Sequence, residues 1–265
     1  MKTNAKLITL ENVTKKYGGK TVIDGISHTF YKGESIAFYG HNGCGKSTML
    51  KLISGIIPIS GGDLQYHEKL RFSYVPEKFV GMEIEMIDYL RGVARMEGVD
   101  PAVTDGLIKD YFLESMIHTR MDKLSKGSLQ KVGVIQALMA PHQVILLDEP
   151  LSGQDAESQK VFLDKMNELR DQGITIFMSC HEEKLIDALS DRVYTIEQGK
   201  LLETDVSGET VYSIYVKKNP ALTVRPDMRS KGGSYELTAE ETALKATVLG
   251  LYEDGWEIVG IEKHA

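Results

Sequence analysis

Cysteine is nearly absent from this 265-residue chain, which has only Cys44 and Cys180. Two distant thiols make neither a disulfide framework nor a CxxC metal knuckle. Long apolar runs are also missing. The longest in the second half, Val144-Ile145-Leu146-Leu147, falls far short of the ~20 residues that cross a bilayer. The first residues, MKTNAKLITLENV, lack the continuous apolar stretch of a secretory signal. Nor is there a block of Lys and Arg. With 31 basic residues against 38 acidic ones the net charge is −7, which argues against non-specific nucleic-acid binding. No repeat or low-complexity tract is visible. What remains is ordinary for a globular chain, 42% hydrophobic and 26% charged, and long enough for one large domain or two small ones with a buried core.

The pattern along the chain alternates. LITLENV and TVIDGISHTF within residues 7–40 are rich in β-branched and aromatic residues and are punctuated by Gly18-Gly19 and Lys32-Gly33, so they predict strands. SIAFY, 35–39, predicts a short apolar strand, and Met49, Leu50 and Ile53 predict a helix that stops at Gly55. Between Phe79 and Lys123 two helices are expected, the first with Ile84, Ile87, Leu90 and Ala94 on one face, the second over GLIKDYFLESM. Five methionines, Met82, Met86, Met96, Met116 and Met121, fall here and suggest either an adaptable docking surface or plain core packing. From 144 onward VILLD, SQKVFLDKMNELRDQG, ITIFMS, HEEKLIDALSD and VYTIEQGKLLE read as strand, helix, strand, helix and hairpin. Such alternation with unbroken apolar strands implies an α/β layered domain. In the tail, VYSIYVK predicts a strand and KNPALTVRPDMRSKGGS a connector. Thr238-Ala239-Glu240-Glu241 has the form of a capping box, opening a helix with Leu244, Val248 and Leu251 that ends at Gly255 before a strand in WEIVGIE.

Two segments carry chemistry. Gly40-His41-Asn42-Gly43-Cys44-Gly45-Lys46-Ser47-Thr48 fits G-x-x-x-x-G-K-[ST], with an apolar strand before it and a helix after. Glycines let backbone N–H groups wrap a phosphate chain, and the helix aims its positive end at the same anion. Lys46 then reaches the β- and γ-phosphates and Ser47 ligates Mg²⁺. The second segment, Val144–Pro150, delivers Asp148 and Glu149 to the C-terminal edge of a buried strand, where α/β sheets bind ligands. Asp148 would help hold Mg²⁺, and Glu149 would orient or deprotonate the attacking water.

Over residues ~5–207 the chain resembles the ATP-binding subunits of ABC transporters. Tyr17, in KKYGG, matches the aromatic that stacks on adenine. Glu77, in YVPEKF, stands where the family usually has a glutamine that senses Mg²⁺ and the lytic water. Leu124-Ser125-Lys126-Gly127-Ser128 matches the signature sequence, Ser152-Gly153-Gln154-Asp155 the D-loop, and His181 the switch histidine. Lys126, Ser128 and Gln154 depart from the usual glycine, glutamine and leucine, while Glu77 and LSKG resemble the drug- and antibiotic-export branch.

The resemblance implies a P-loop NTPase fold of the ABC ATPase type. Its parts are an N-terminal antiparallel β subdomain, a RecA-like core and an inserted helical subdomain at about 79–123, with a small α+β appendage. The expected boundaries are 1–207 for the ATPase domain and 208–265 for the appendage. It implies catalytic roles for Glu149, His181 and Glu77. ATP contacts are implied for Tyr17, Asn42, Gly43, Cys44, Gly45, Lys46, Ser47, Thr48, Ser125, Gly127 and Asp155, and metal contacts for Ser47, Glu77 and Asp148. It further implies two ATP molecules sandwiched in a head-to-tail dimer and a separate membrane permease, with this subunit on the cytoplasmic face and no nucleic-acid partner. The rival readings are a soluble ABC ATPase acting on ribosomes or DNA, a regulatory ATP-binding module that does not turn over, and a P-loop kinase of small molecules.

Overall fold

The apolar runs at 35–39, 144–148 and 175–180 form parallel strands of one sheet, with almost every residue buried, as their lack of alternation requires. The computed structural model describes residues 5–140, 142–204, 211–217, 222–225, 227–232 and 234–263. The chain divides into two units, Met1–Asp205 and Val206–Ala265. The first unit begins with β1 (Lys6–Tyr17), β2 (Lys20–Tyr31), β3 (Ser35–Tyr39), α1 (Lys46–Ile53), β4 (Gly61–Tyr66) and β5 (Phe72–Val75). It continues through α2 (Met86–Glu97), α3 (Pro101–Asp110), α4 (Lys126–Met139), β6 (Val144–Asp148) and α5 (Ala156–Asp171). It closes with β7 (Thr175–Cys180), α6 (Glu183–Leu189), β8 (Arg192–Glu197) and β9 (Lys200–Thr204).

Among the described residues, an antiparallel sheet of order β2-β1-β4 accompanies a larger one of order β5-β6-β7-β3-β8-β9. The larger sheet is parallel except for the β8–β9 hairpin. Phe30, Ile36, Phe38, Met49 and Phe177 lie in a core shared by the two sheets and α1. β4 and β5 have no counterpart in the sequence reading: GGDLQY has no buried residue and FSYV is only four residues long.

The helical insertion differs from its expected form. Ile84 precedes α2 and is 42% exposed, so it is not on the apolar face that Ile87, Leu90 and Ala94 bury. The second helix starts earlier than expected, at Pro101, because Asp100 caps it by accepting from Ala102 N. It also ends earlier, before Phe112 turns left-handed (φ 58), and Glu114–Met116 make only a single 3-10 turn. Met86 and Met121 are fully buried, so the methionines do not make one surface; Met82 and Met96 are the exposed ones. No helix among the described residues is long and apolar enough to cross a membrane.

The second unit holds β10 (Val211–Lys217), β11 (Arg229–Lys231), β12 (Ser234–Glu240), α7 (Glu241–Glu253) and β13 (Ile258–Lys263), the sheet running β11-β12-β10-β13 with antiparallel neighbours. Its core gathers Ile214, Val216, Leu237, Leu251 and Trp256, the ring of Tyr235 standing edge-on 5.9 Å from that of Trp256. Two expectations are corrected here. Thr238-Ala239-Glu240 lie inside β12, and α7 begins only at Glu241, because Tyr235, Leu237 and Ala239 alternate toward the core. The stretch read as connector also contributes β11. Part of it lies outside the described residues.

Two histidines of the first unit are held neutral. His28 sits 4.6 Å from the ring of Phe30 and 4.9 Å from that of Tyr194, and burial lowers its pKa from the ordinary 6.5, with Glu203 opposing and Arg192 assisting. Burial likewise lowers that of His142, against the opposing pull of its bond with the Ala140 carbonyl. A folded pKa below the unfolded one means stability that is complete above 6.5 and lost as pH falls through the folded value. Melting temperature should therefore drop between about pH 7.5 and about pH 5, and His28→Phe should flatten that slope. An unchanged slope in the variant removes His28 from the account.

Candidate active site

β7 lies between β3 and β6, and β5 lies beside β6, so the C-terminal ends of these parallel strands meet at one edge of the sheet. That is where α/β sheets bind ligands. Beyond β3 the chain loops into α1 at Gly45, whose φ is +120. A Cβ there would lie 3.3 Å from side-chain atoms of both Val22 and Ile23, so glycine is required. No side chain caps α1, which leaves its first N–H groups free for an anion. Lys46 is 5% exposed. Its Nζ donates to Gly40 O at 2.5 Å and His41 O at 3.2 Å, and stands 3.8 Å from Glu149 Oε1.

Asp148 collects hydroxyl donors. Ser47 Oγ and Ser179 Oγ reach its Oδ1 at 2.8 and 2.6 Å, and Tyr74 OH reaches Oδ2 at 3.0 Å. Burial first, then the charge of Asp148, raises the Tyr74 pKa far above 10, so the phenol keeps its proton and donates. Glu149, the next residue, has a left-handed backbone (φ 48), the kind of conformation that surrounding structure must impose. Its Oε2 is 2.9 Å from His181 Nδ1, while Oε1 is buried with no hydrogen-bond partner among the described residues. Burial, reinforced by the Glu149 charge, pushes the neighbouring Cys180 thiol up to about 12, which leaves it unreactive at neutral pH.

One cavity of about 550 Å³ is lined by Tyr17, Asn42, Gly43, Gly45, Lys46, Ser47, Thr48, Glu77, Glu149 and His181, together with Val22 and Ser152. Tyr17 forms its rim: the ring is 48% exposed and carries Lys15 Nζ 5.1 Å from its centroid. Other residues singled out from the sequence lie elsewhere. Asp148 sits beneath the cavity, behind Ser47. Cys44 lines a different cavity with Lys20, His41 and Gly199. Ser125 is the N-cap of α4, accepting from Ser128 N at 3.1 Å. Gly127 is pressed against the turn after β6, where a Cβ would fall 2.2 Å from Gly153 O. Asp155 accepts from Lys131 Nζ at 2.7 Å, a contact that holds its carboxyl well below the usual range.

Tyr74 and Ser179 were missed in the sequence, and Ser152 was read there only as part of the D-loop. A hydroxyl near the end of ITIFMSC was an available signal for Ser179, but its value depends on β7 pairing with β6 so that Ser179 faces Asp148.

The residues present suit a nucleotide with Mg²⁺. Among the described residues no group of three or more His, Cys, Asp or Glu could hold a metal by itself. Mg²⁺ needs no such cage, since one or two carboxylates, a hydroxyl, water and phosphate oxygens complete its shell. Ser47 and Asp148 offer that set, with Glu77 on the same cavity. The orphaned Oε1 of Glu149, buried 3.8 Å from Lys46 Nζ, is an unsatisfied acceptor at the same site.

Parallel strands, a phosphate loop opening α1 and an acidic strand end define a P-loop nucleotide hydrolase. The family model described as ABC transporter matches residues 23–152. An uncharacterised ABC transporter ATP-binding protein of Methanocaldococcus jannaschii is 34% identical over 199 residues, 73% of this chain and 75% of that one. The zinc import ATP-binding protein ZnuC of Pseudomonas putida is 27% identical over 82% of this chain and 87% of its own. The linearmycin resistance ATP-binding protein LnrL of Bacillus subtilis is 26% identical over 94% and 87%. A solved ATP-binding subunit of an ABC transporter superposes with a TM-score of 0.67 at 25% identity, covering 75% of this chain and 89% of that one. The chain belongs to the ABC transporter ATP-binding family, whose members bind ATP with Mg²⁺ and hydrolyse it to power transport.

Proposed function

We propose that this chain is the motor of a transporter whose membrane-spanning permease is a separate polypeptide, and that it lies on the cytoplasmic face of the membrane. Two copies, or this chain and a homologous subunit, close over two ATP molecules, Ser125 and Gly127 of each meeting the γ-phosphate held by the other. The observation that carries the reading is the meeting of Lys46, the Ser47–Asp148 pair and the Glu149–His181 pair at one cavity. Tyr17 stacks on adenine at the rim, and Gly40–Thr48 wrap the phosphates. Ser47, Asp148 and Glu77 would hold Mg²⁺, which when bound would neutralise phosphate charge. Glu149 takes a proton from the water whose oxygen bonds the γ-phosphorus as its bond to the bridging oxygen breaks. His181, anchored through Nδ1, leaves Nε2 as the ring atom for a γ-phosphate oxygen.

Export is the direction we favour, on the likeness of Glu77 and of Lys126-Gly127 to the drug- and antibiotic-export branch. The relatives named above include both an import protein and a resistance protein. The segment containing Val80, Met82 and Ile84, all exposed and close in sequence to Glu77, is the proposed docking surface for the permease. Capture of tagged Glu149→Gln protein with ATP from detergent-solubilised native membranes tests the reading. Stoichiometric recovery of a polytopic membrane protein is expected. Ribosomes or soluble factors without a membrane protein would refute transport.

A further inference from the structure

Gln154 is a carboxamide in an unusual setting. It lies on the turn between β6 and α5, is only 8% exposed, and donates through Nε2 to Pro150 O at 2.8 Å. Pro150 O can only accept, which fixes the end of the amide that faces it. The other end, Oε1, is buried with no hydrogen-bond partner among the described residues. A buried unpaired acceptor costs more than one neutral hydrogen bond returns, so stability alone does not account for glutamine here. A leucine of similar volume would avoid that penalty but would leave Pro150 O without its donor, so the two residues come out near parity in stability.

The bond from Nε2 ties the two ends of the turn together. Pro150 follows Glu149, with its left-handed backbone. Gln154 precedes Asp155, which accepts from Ser158 N to cap α5 and pairs with Lys131 of α4. Inside the turn the backbone bonds are few: Ser152 N to Glu149 O at 3.3 Å and Gln154 N to Leu151 O at 3.0 Å. Along it runs a cavity of about 290 Å³, lined by Gln154 and Gln159 and reaching Glu149 and His181. That space is polar and large enough for ordered water.

We infer that Gln154 is a positioning residue for the Glu149 carboxylate. Its Nε2 bond to Pro150 O fixes the turn that aims Glu149 toward His181. Its Oε1, shielded from water, is the unpaired acceptor that this tie leaves behind. The inference rests on the reading of Glu149 as the base. It also makes a line of direct bonds from α4, through Lys131, Asp155 and Gln154, to the residue next to Glu149.

The test compares steady-state ATP hydrolysis by Gln154→Leu, Gln154→Glu, Gln159→Leu and Glu149→Gln in the full chain. Both Gln154 variants lack the Nε2 donor. Each should lose about tenfold or more in kcat with KM for ATP kept within about twofold, since small misplacements of a reacting group carry large rate penalties. Melting of Gln154→Leu should stay close to wild type, which separates aiming from stability. Gln159→Leu loses only the 3.3 Å bond from Nε2 to Gln154 O and should keep wild-type kcat. Wild-type kcat in Gln154→Leu, with Glu149→Gln inactive, overturns the inference alone. So does an equal loss in Gln159→Leu, which would reduce Gln154 to general support of the turn. Wild-type turnover by Glu149→Gln overturns both this inference and the assignment of the base.

Discussion

Glu149→Gln is expected to lower kcat by about 10²–10⁴-fold while ATP binding persists, the range that a positioned general base contributes. The amide keeps the shape of the side chain and can still meet His181, but it cannot take a proton from water. Removing a negative charge 3.8 Å from Lys46 Nζ also frees that cation for phosphate, so binding should hold or tighten. The variant should therefore accumulate as an ATP-bound closed dimer, visible as a shift in size-exclusion elution that needs nucleotide. Phosphate release under multiple turnover is the measurement. A rate equal to wild type would falsify the role of Glu149, and a low rate without the ATP-dependent shift would refute the head-to-tail closure.

Lys46→Ala should act one step earlier, on binding. The amine is almost wholly buried and bonded to two loop carbonyls, so it both carries the charge that meets phosphate and shapes the loop that wraps it. Truncating one partner of a buried charged contact costs about 2–5 kcal/mol, or roughly thirtyfold to several thousandfold in Kd. Equilibrium titration with a fluorescent ATP analogue reads this directly, with a melting curve to show that the variant is folded. An unchanged Kd in a folded variant would remove Lys46 from the phosphate site.

The site was legible where chemistry is local and opaque where strand order supplies it. Gly40–Thr48 carry their own turn chemistry and helix start, and VILLD announces a buried strand that ends in acid. Both could be read without a neighbour. Tyr74 could not, because its phenol matters only once β5 pairs with β6 and sets it against Asp148. Gln154 was legible as a departure from the family pattern, but its tie to Pro150 is a property of the folded turn. In the second unit, Thr238-Ala239-Glu240-Glu241 imitates a helix start, yet the two-residue rhythm of Tyr235, Leu237 and Ala239 prevails. Burial of a sheet face outweighs a local capping preference worth about 1 kcal/mol.

The rim of the cavity has a consequence for the choice of nucleobase. Val22 is aliphatic, and a base stacked on Tyr17 meets the ring face rather than the phenol, so neither contact tells a 6-amino from a 6-oxo purine by hydrogen bonding. Stacking holds any purine. The grip on the phosphates, by contrast, uses a buried cation, a helix start and a string of backbone donors. On the proposed placement the protein discriminates poorly between ATP and GTP at the base. Which of them fuels it in a cell is then decided by their relative abundance.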